Sequence, residues 1–109
     1  MRTESKAQIL TIYVGEQDCW HGKPLYAAIV TRLKEAGIAG VTVLRGVEGY
    51  GAHHKIHTAR IEVLFQGLPI LVEAVDLPER IASALPLLDE MVTEGLVTIS
   101  DVTAITYSK

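Results

Sequence analysis

Two stripes of apolar residues at helical spacing, each set between β-branched runs, restrict most tightly what this chain can fold into. Leu25, Ala28, Ile29, Leu33 and Ala36 recur at the interval that lines one face of a helix. Ile81, Leu85, Leu88 and Val92 repeat the pattern at i, i+4, i+7 and i+11. The flanking runs are of strand composition: Gln8 to Val14 (QILTIYV), Val41 to Leu44 continuing towards Gly49, Thr58 to Phe65, Leu68 to Val75, and Val97 to Tyr107. Punctuation agrees with this division. Pro24 suits a first helical position and Gly37 a helix stop, while Gln66-Gly67 marks a turn that makes a hairpin of the runs beside it. Asp76 and Glu79 have capping-box spacing with Pro78 in the first turn, Pro86 predicts a kink, and Gly95 an end. Residues 1–7 read as a frayed polar end and Gly15 to Lys23 as a polar loop.

Strand–helix–strand followed by strand–helix–strand predicts an α+β, ferredoxin-like sandwich (β-α-β-β-α-β) in one domain spanning residues 1–109, with the 58–65 strand as an insertion. Two helices cover one sheet face. The other needs a cover, and at 49% hydrophobic residues in 109 the chain has more apolar surface than a small domain hides alone. A second copy of the chain is the expected cover.

Charge and cysteine usage exclude several functions. A net charge of −3 argues against nucleic-acid binding over the whole surface. Cys19 is the single cysteine, so neither an internal disulfide nor a thiolate zinc cluster can form within one chain. The polar start MRTESKAQ has no apolar stretch typical of a secretory signal, and no apolar run reaches the ~20 residues of a membrane-spanning helix. The expectation is a soluble, cytoplasmic protein without membrane insertion.

Against that acidic background, residues 45–60 carry Arg45, Lys55 and Arg60 with Glu48 as the single acid. Gly46, Gly49 and Gly51 punctuate the segment, and bare backbone amides there can approach a phosphate; glycines at a strand end also serve simply to bend it. No helix pattern follows, so the dinucleotide fingerprint is not met. His53, His54 and His57 invite a metal reading, with His53 and His57 four residues apart, but a non-helical segment does not aim them together. Solvated histidines are the alternative. Tyr50, between two glycines, is a candidate contact for a ligand ring or a partner. In the other polar loop Trp20 either stacks on a base or fills a subunit contact, with Lys23 beside it. Cys19 and His21 there promise no nucleophile geometry, and no acid–base pair for catalysis is apparent. The reading is a protein that is not an enzyme.

The blocks GEQDCWHGKPLYAAIV, VTVLRGVEGYGAHHKIHTARI, LPILVEAVD and LLDEMVTEGLVTI, in this order between Leu10 and Thr106, resemble a PII-like family known as a domain of unknown function. The resemblance implies a ferredoxin-like fold assembled as a homotrimer with the sheets facing inward. Val47-Glu48-Gly49-Tyr50-Gly51 is similar to the point where PII signalling proteins enter their long loop, which in those proteins lines an inter-subunit cleft for adenine nucleotides. The residues that grip phosphate in PII have no counterpart in this sequence. What the resemblance implies is a regulatory protein binding AMP, ADP or ATP through Arg45, Gly46, Gly49, Tyr50, Gly51, Lys55 and Arg60, with Trp20 and Lys23 near the cleft. A scaffold acting on a membrane transporter or enzyme through the 51–60 loop, and a metal-binding trimer similar to the copper-tolerance relatives of PII, are the alternatives.

Overall fold

The computed structural model describes residues 1–49, 57–58 and 67–109. Its main sheet has four strands: β1 (Arg2–Gly15), β4 (Gly40–Arg45), β7 (Pro69–Asp76) and β8 (Leu96–Tyr107). Helix α1 (Leu25–Glu35) follows β1, and helix α2 (Pro78–Met91) follows β7. The order across the sheet is β4-β7-β1-β8, and each neighbouring pair is antiparallel. This is the ferredoxin-like arrangement that the alternation of strand and helix patterns predicts. Between the main elements lie two short ladders, β2 (Cys19–Trp20) with β3 (Lys23–Pro24), and β5 (Glu48–Gly49) with β6 (His57–Thr58).

Strand alternation decides what each sheet face does. Leu10, Ile12 and Val14 of β1 stand beside Ala74, Val72 and Ile70 of β7, all buried. Both helices close over this face, with Leu25, Ala28, Ile29 and Leu33 from α1 and Ile81, Ala84, Leu88 and Met91 from α2; of the expected stripes, Leu85 and Val92 are only partly buried and Ala36, the C-cap of α1, is exposed. The intervening residues form the open face. There Leu44, Leu71, Tyr13 and Leu96 line up across all four strands, and Val75 stands beside Ile9. Leu44 is 49% and Leu96 57% exposed.

The helix ends follow from their residues. Gly37 adopts φ +84, its amide bonds Lys34, and the Ile38 amide reaches Leu33 at 3.1 Å, a Schellman closure. At the start of α2 the predicted capping box does not form. The N-cap is Leu77, without a side-chain cap, and the Asp76 carboxylate is engaged elsewhere: Oδ1 accepts from the Leu77 amide at 2.7 Å and Oδ2 from the Ala39 amide at 2.9 Å. Asp76 thereby ties the α1–β4 connection to α2, a long-range use that local spacing does not reveal. The second helix runs through Pro86 and ends before Gly95, with Val92 as its C-cap.

Four further expectations need correction. Residues 1–7 do not form a frayed end: all but Met1 belong to β1, paired with β8 from Arg2↔Tyr107 onward. Arg2 to Lys6 are exposed on both faces, so the backbone ladder holds them without an apolar pattern, and Ala7 is the first buried residue of the strand. The 15–23 loop contains the β2–β3 hairpin, turned by His21 (φ 50) and Gly22 (φ 79), two consecutive positive φ values as in a two-residue hairpin turn. Pro24 accordingly caps α1 instead of opening it. The second strand stops at Arg45 and does not run on to Gly49. Most of the 58–65 strand expected from the sequence, with Gln66, lies outside the described residues.

Candidate functional site

The sheet order brings three distant pieces of sequence to one corner. Because β7 lies between β1 and β4, the end of β1, the end of β4 and the start of β7 are neighbours. Two backbone bonds close the corner, Gly46 N–H to the Pro69 carbonyl and Glu16 N–H to the Leu68 carbonyl, each 2.8 Å. The first joins the two ends of the 46–68 connection, and the second ties its returning end to the end of β1.

Gly46 and Gly49 both face Pro69. A Cβ on Gly46 would lie 2.7 Å from the ring's Cγ, and one on Gly49 3.2 Å from it. The absent side chains thus admit the proline ring to this side of the strand end. Gly67, at φ +100, needs glycine for its backbone, and a Cβ there would lie 3.0 Å from Gln17 Cγ.

Arg45 leaves the end of β4 and forms an ion pair with the Glu16 carboxylate through Glu16 Oε2. The Arg45 side chain is 58% exposed and that of Glu16 only 13%. The second carboxylate oxygen, Glu16 Oε1, is buried and has no hydrogen-bond partner among the described residues. The described part of the basic segment, with Arg45 and exposed Glu48 as its charges, is formally neutral, and its arginine is already paired with Glu16. Tyr50, Gly51, His53, His54, Lys55 and Arg60 lie outside the described residues, and of His57 only the backbone, paired with Gly49, is described.

Trp20 and Lys23 occupy a second place, on the β2–β3 hairpin beside α1. A groove of ≈ 330 Å³ there is lined by Trp20, Lys23, Ala27, Thr31, Arg32 and Glu35 among others. His21 stacks on the Trp20 ring at 3.8 Å, and the Arg32 guanidinium lies 5.8 Å from the ring centre. Arg32 also pairs with Glu90 of α2 at 3.6 Å. The Cys19 thiol donates to the Gln17 carbonyl, so the loop offers no cysteine–histidine pair. Among the described residues no three histidine, cysteine or acidic side chains converge as a metal ion requires.

Of the nine residues predicted for the ligand, then, the structure brings Arg45, Gly46 and Gly49 together and sets Trp20 and Lys23 in a separate groove. Sequence reasoning missed Glu16 and Pro69. Glu16 directly follows a strand, a position from which an acid can reach a neighbouring strand end, but no spacing rule links it to Arg45.

A ferredoxin-like sandwich whose second and third main strands are joined by a long connection is the architecture of the PII-like proteins. CPII of Thiomonas intermedia K12, described as a nitrogen regulatory PII-like protein bound to ADP, AMP and bicarbonate, superimposes with a TM-score of 0.68 at 17% identity, covering 94% of this chain and 91% of that one. Its apo form gives 0.65 at 14% identity, covering 98% and 100%. The family model DUF190, "Uncharacterized ACR", matches residues 7–104, and the chain belongs to this family. A UPF0166 protein of Aquifex aeolicus is 35% identical over 102 residues, 92% of this chain and 94% of the relative. One of Methanocaldococcus jannaschii is 39% identical over 99 residues, 88% and 89%. No helix among the described residues is long and apolar enough to cross a membrane.

Proposed function

We propose that this protein is a PII-like regulator that binds an adenine nucleotide, AMP, ADP or ATP, in clefts between the subunits of a homotrimer. It acts by binding and not by catalysis. The observation that carries the reading is the corner at the end of β4, where Arg45, Gly46 and Gly49 open the long connection in a fold whose solved neighbour CPII is described with ADP and AMP bound. Lys55 and Arg60 of that connection supply positive charge for the phosphates.

The open sheet face supports the assembly. Tyr13, Leu44, Leu71 and Leu96 form an apolar row that helices leave bare, and burial against two further copies removes it from water. The output is contact with a protein partner, a membrane transporter or an enzyme, through residues 51–60. Isothermal calorimetry against AMP, ADP and ATP tests the reading, beside light scattering for the trimer. Micromolar heat for at least one nucleotide is the expected result; silence from all three, with no thermal shift, removes it.

A further inference from the structure

Among the described residues, Glu16 differs from acids whose carboxylates are satisfied or exposed. Asp76 has both oxygens occupied by amides, Asp18 accepts from the Gly15 amide at 2.8 Å, and Asp101 accepts from Gln8 at 2.9 Å on an exposed strand. Glu16 is nearly buried, its Oε2 is held by Arg45, and its Oε1 is buried without a donor among the described residues. A buried carboxylate oxygen is costly to leave unsatisfied, and a carboxylate can only accept. The arrangement calls for an added hydrogen-bond donor. It does not call for an anion: Arg45 is already neutralised, and a phosphate laid here faces the Glu16 charge at short range.

Resting on the nucleotide reading above, we propose that Glu16 is a specificity-determining residue that accepts a hydrogen bond from the nucleoside end of the ligand, a ribose hydroxyl or the adenine amine. Arg45 is then a positioning residue that fixes the Glu16 carboxylate across β7. The phosphates lie away from this pair. Arg45 thus changes from a phosphate clamp to the support of a donor-reading acid, and binding is selective for nucleosides over bare polyphosphates.

The test is calorimetry on the full chain with ADP, 2′-deoxy-ADP, 3′-deoxy-ADP, inosine diphosphate and inorganic pyrophosphate, each against wild type, Glu16→Ala and Glu16→Gln. Wild type should bind one donor-deficient analogue roughly tenfold or more weakly than ADP. Glu16→Ala should weaken ADP by about tenfold to a hundredfold and abolish that preference, while pyrophosphate binding holds or strengthens because Arg45 is released. Glu16→Gln, equal in size, guards against misfolding and should lose in the same direction by less. Equal ADP affinity in all three proteins overturns the proposal, as does parallel weakening of ADP and pyrophosphate. If wild type binds no nucleotide, the functional reading falls and takes this one with it; if it binds ADP indifferently to residue 16, only the role of Glu16 falls.

Discussion

Replacing Gly46 with alanine separates the two uses of a glycine at this strand end, packing and ligand approach. The new Cβ would stand 2.7 Å from Pro69 Cγ and 3.4 Å from the Pro69 carbonyl oxygen. Carbon atoms rest about 3.5–4.0 Å apart, so the ring has to retreat by roughly 0.8 Å or more. Retreat of the backbone is opposed by the 2.8 Å bond from the Gly46 amide to the Pro69 carbonyl. Overpacking of this kind costs about 1–3 kcal/mol. In a domain of this size that lowers the melting temperature by roughly 4–12 °C. Circular dichroism melts at one fixed protein concentration measure it, since assembly makes the midpoint depend on concentration. The decisive arm is Pro69→Ala, which removes Cγ and keeps the carbonyl. In that background Gly46→Ala should cost less than about 0.5 kcal/mol, a coupling of at least ~1 kcal/mol between the two positions. An equal loss in both backgrounds would refute the packing account and return Gly46 to a purely conformational role.

Other positions give equally direct tests. Asp76→Ala strips the acceptor from the Ala39 and Leu77 amides and should destabilise by about 2–3 kcal/mol in urea denaturation, with Asp76→Asn retaining part of the loss. Gly95→Ala drives a Cβ to 2.7 Å from the Tyr13 carbonyl oxygen, backbone that cannot step aside, and should cost about 1–3 kcal/mol; Gly40→Ala meets nothing within 4 Å and should be neutral or slightly stabilising in the same melts. Tyr13→Asp puts a charge in the middle of the apolar row on the open sheet face; light scattering should report the proposed trimer for wild type and monomers for the variant.

How legible these features were depended on how far apart their residues lie. The helix stripes were readable because the 3.6-residue period is local, and Gly37 marked its helix end because a left-handed residue is needed there. Arg2 to Lys6 was not readable as strand, since with no helix above it neither face of that stretch is apolar and only the ladder to β8 defines it. Asp76 imitated a capping box because the spacing to Glu79 is right, yet its second oxygen had a stronger claim on it from Ala39, which no local window contains. The basic, glycine-rich character of 45–60 was plain in sequence. That Arg45 is already paired was not, since Glu16 arrives from another strand.

On the proposed reading, the corner of β1, β4 and β7 joins binding to stability through the same few atoms. The connection between β4 and β7 leaves the sheet at Gly46 and returns at Leu68 and Pro69; the Gly46–Pro69 backbone bond joins its two ends, and the Glu16–Leu68 bond ties the returning end to β1. The Arg45–Glu16 pair spans the same gap from the side-chain level. Removal of Arg45 therefore does more than delete a positive charge. It leaves both Glu16 oxygens without a described partner, at a cost of about 1–3 kcal/mol given that the arginine is half exposed. A ligand that donates to Oε1 supplies a donor that the described residues do not, so it should raise the melting temperature of any variant that keeps the Glu16 carboxylate. Arg45→Ala is such a variant. If Glu16 reads a donor, the ADP-induced rise in melting temperature should persist in Arg45→Ala and vanish in Glu16→Ala; if Arg45 grips the phosphate, the two variants should exchange these behaviours.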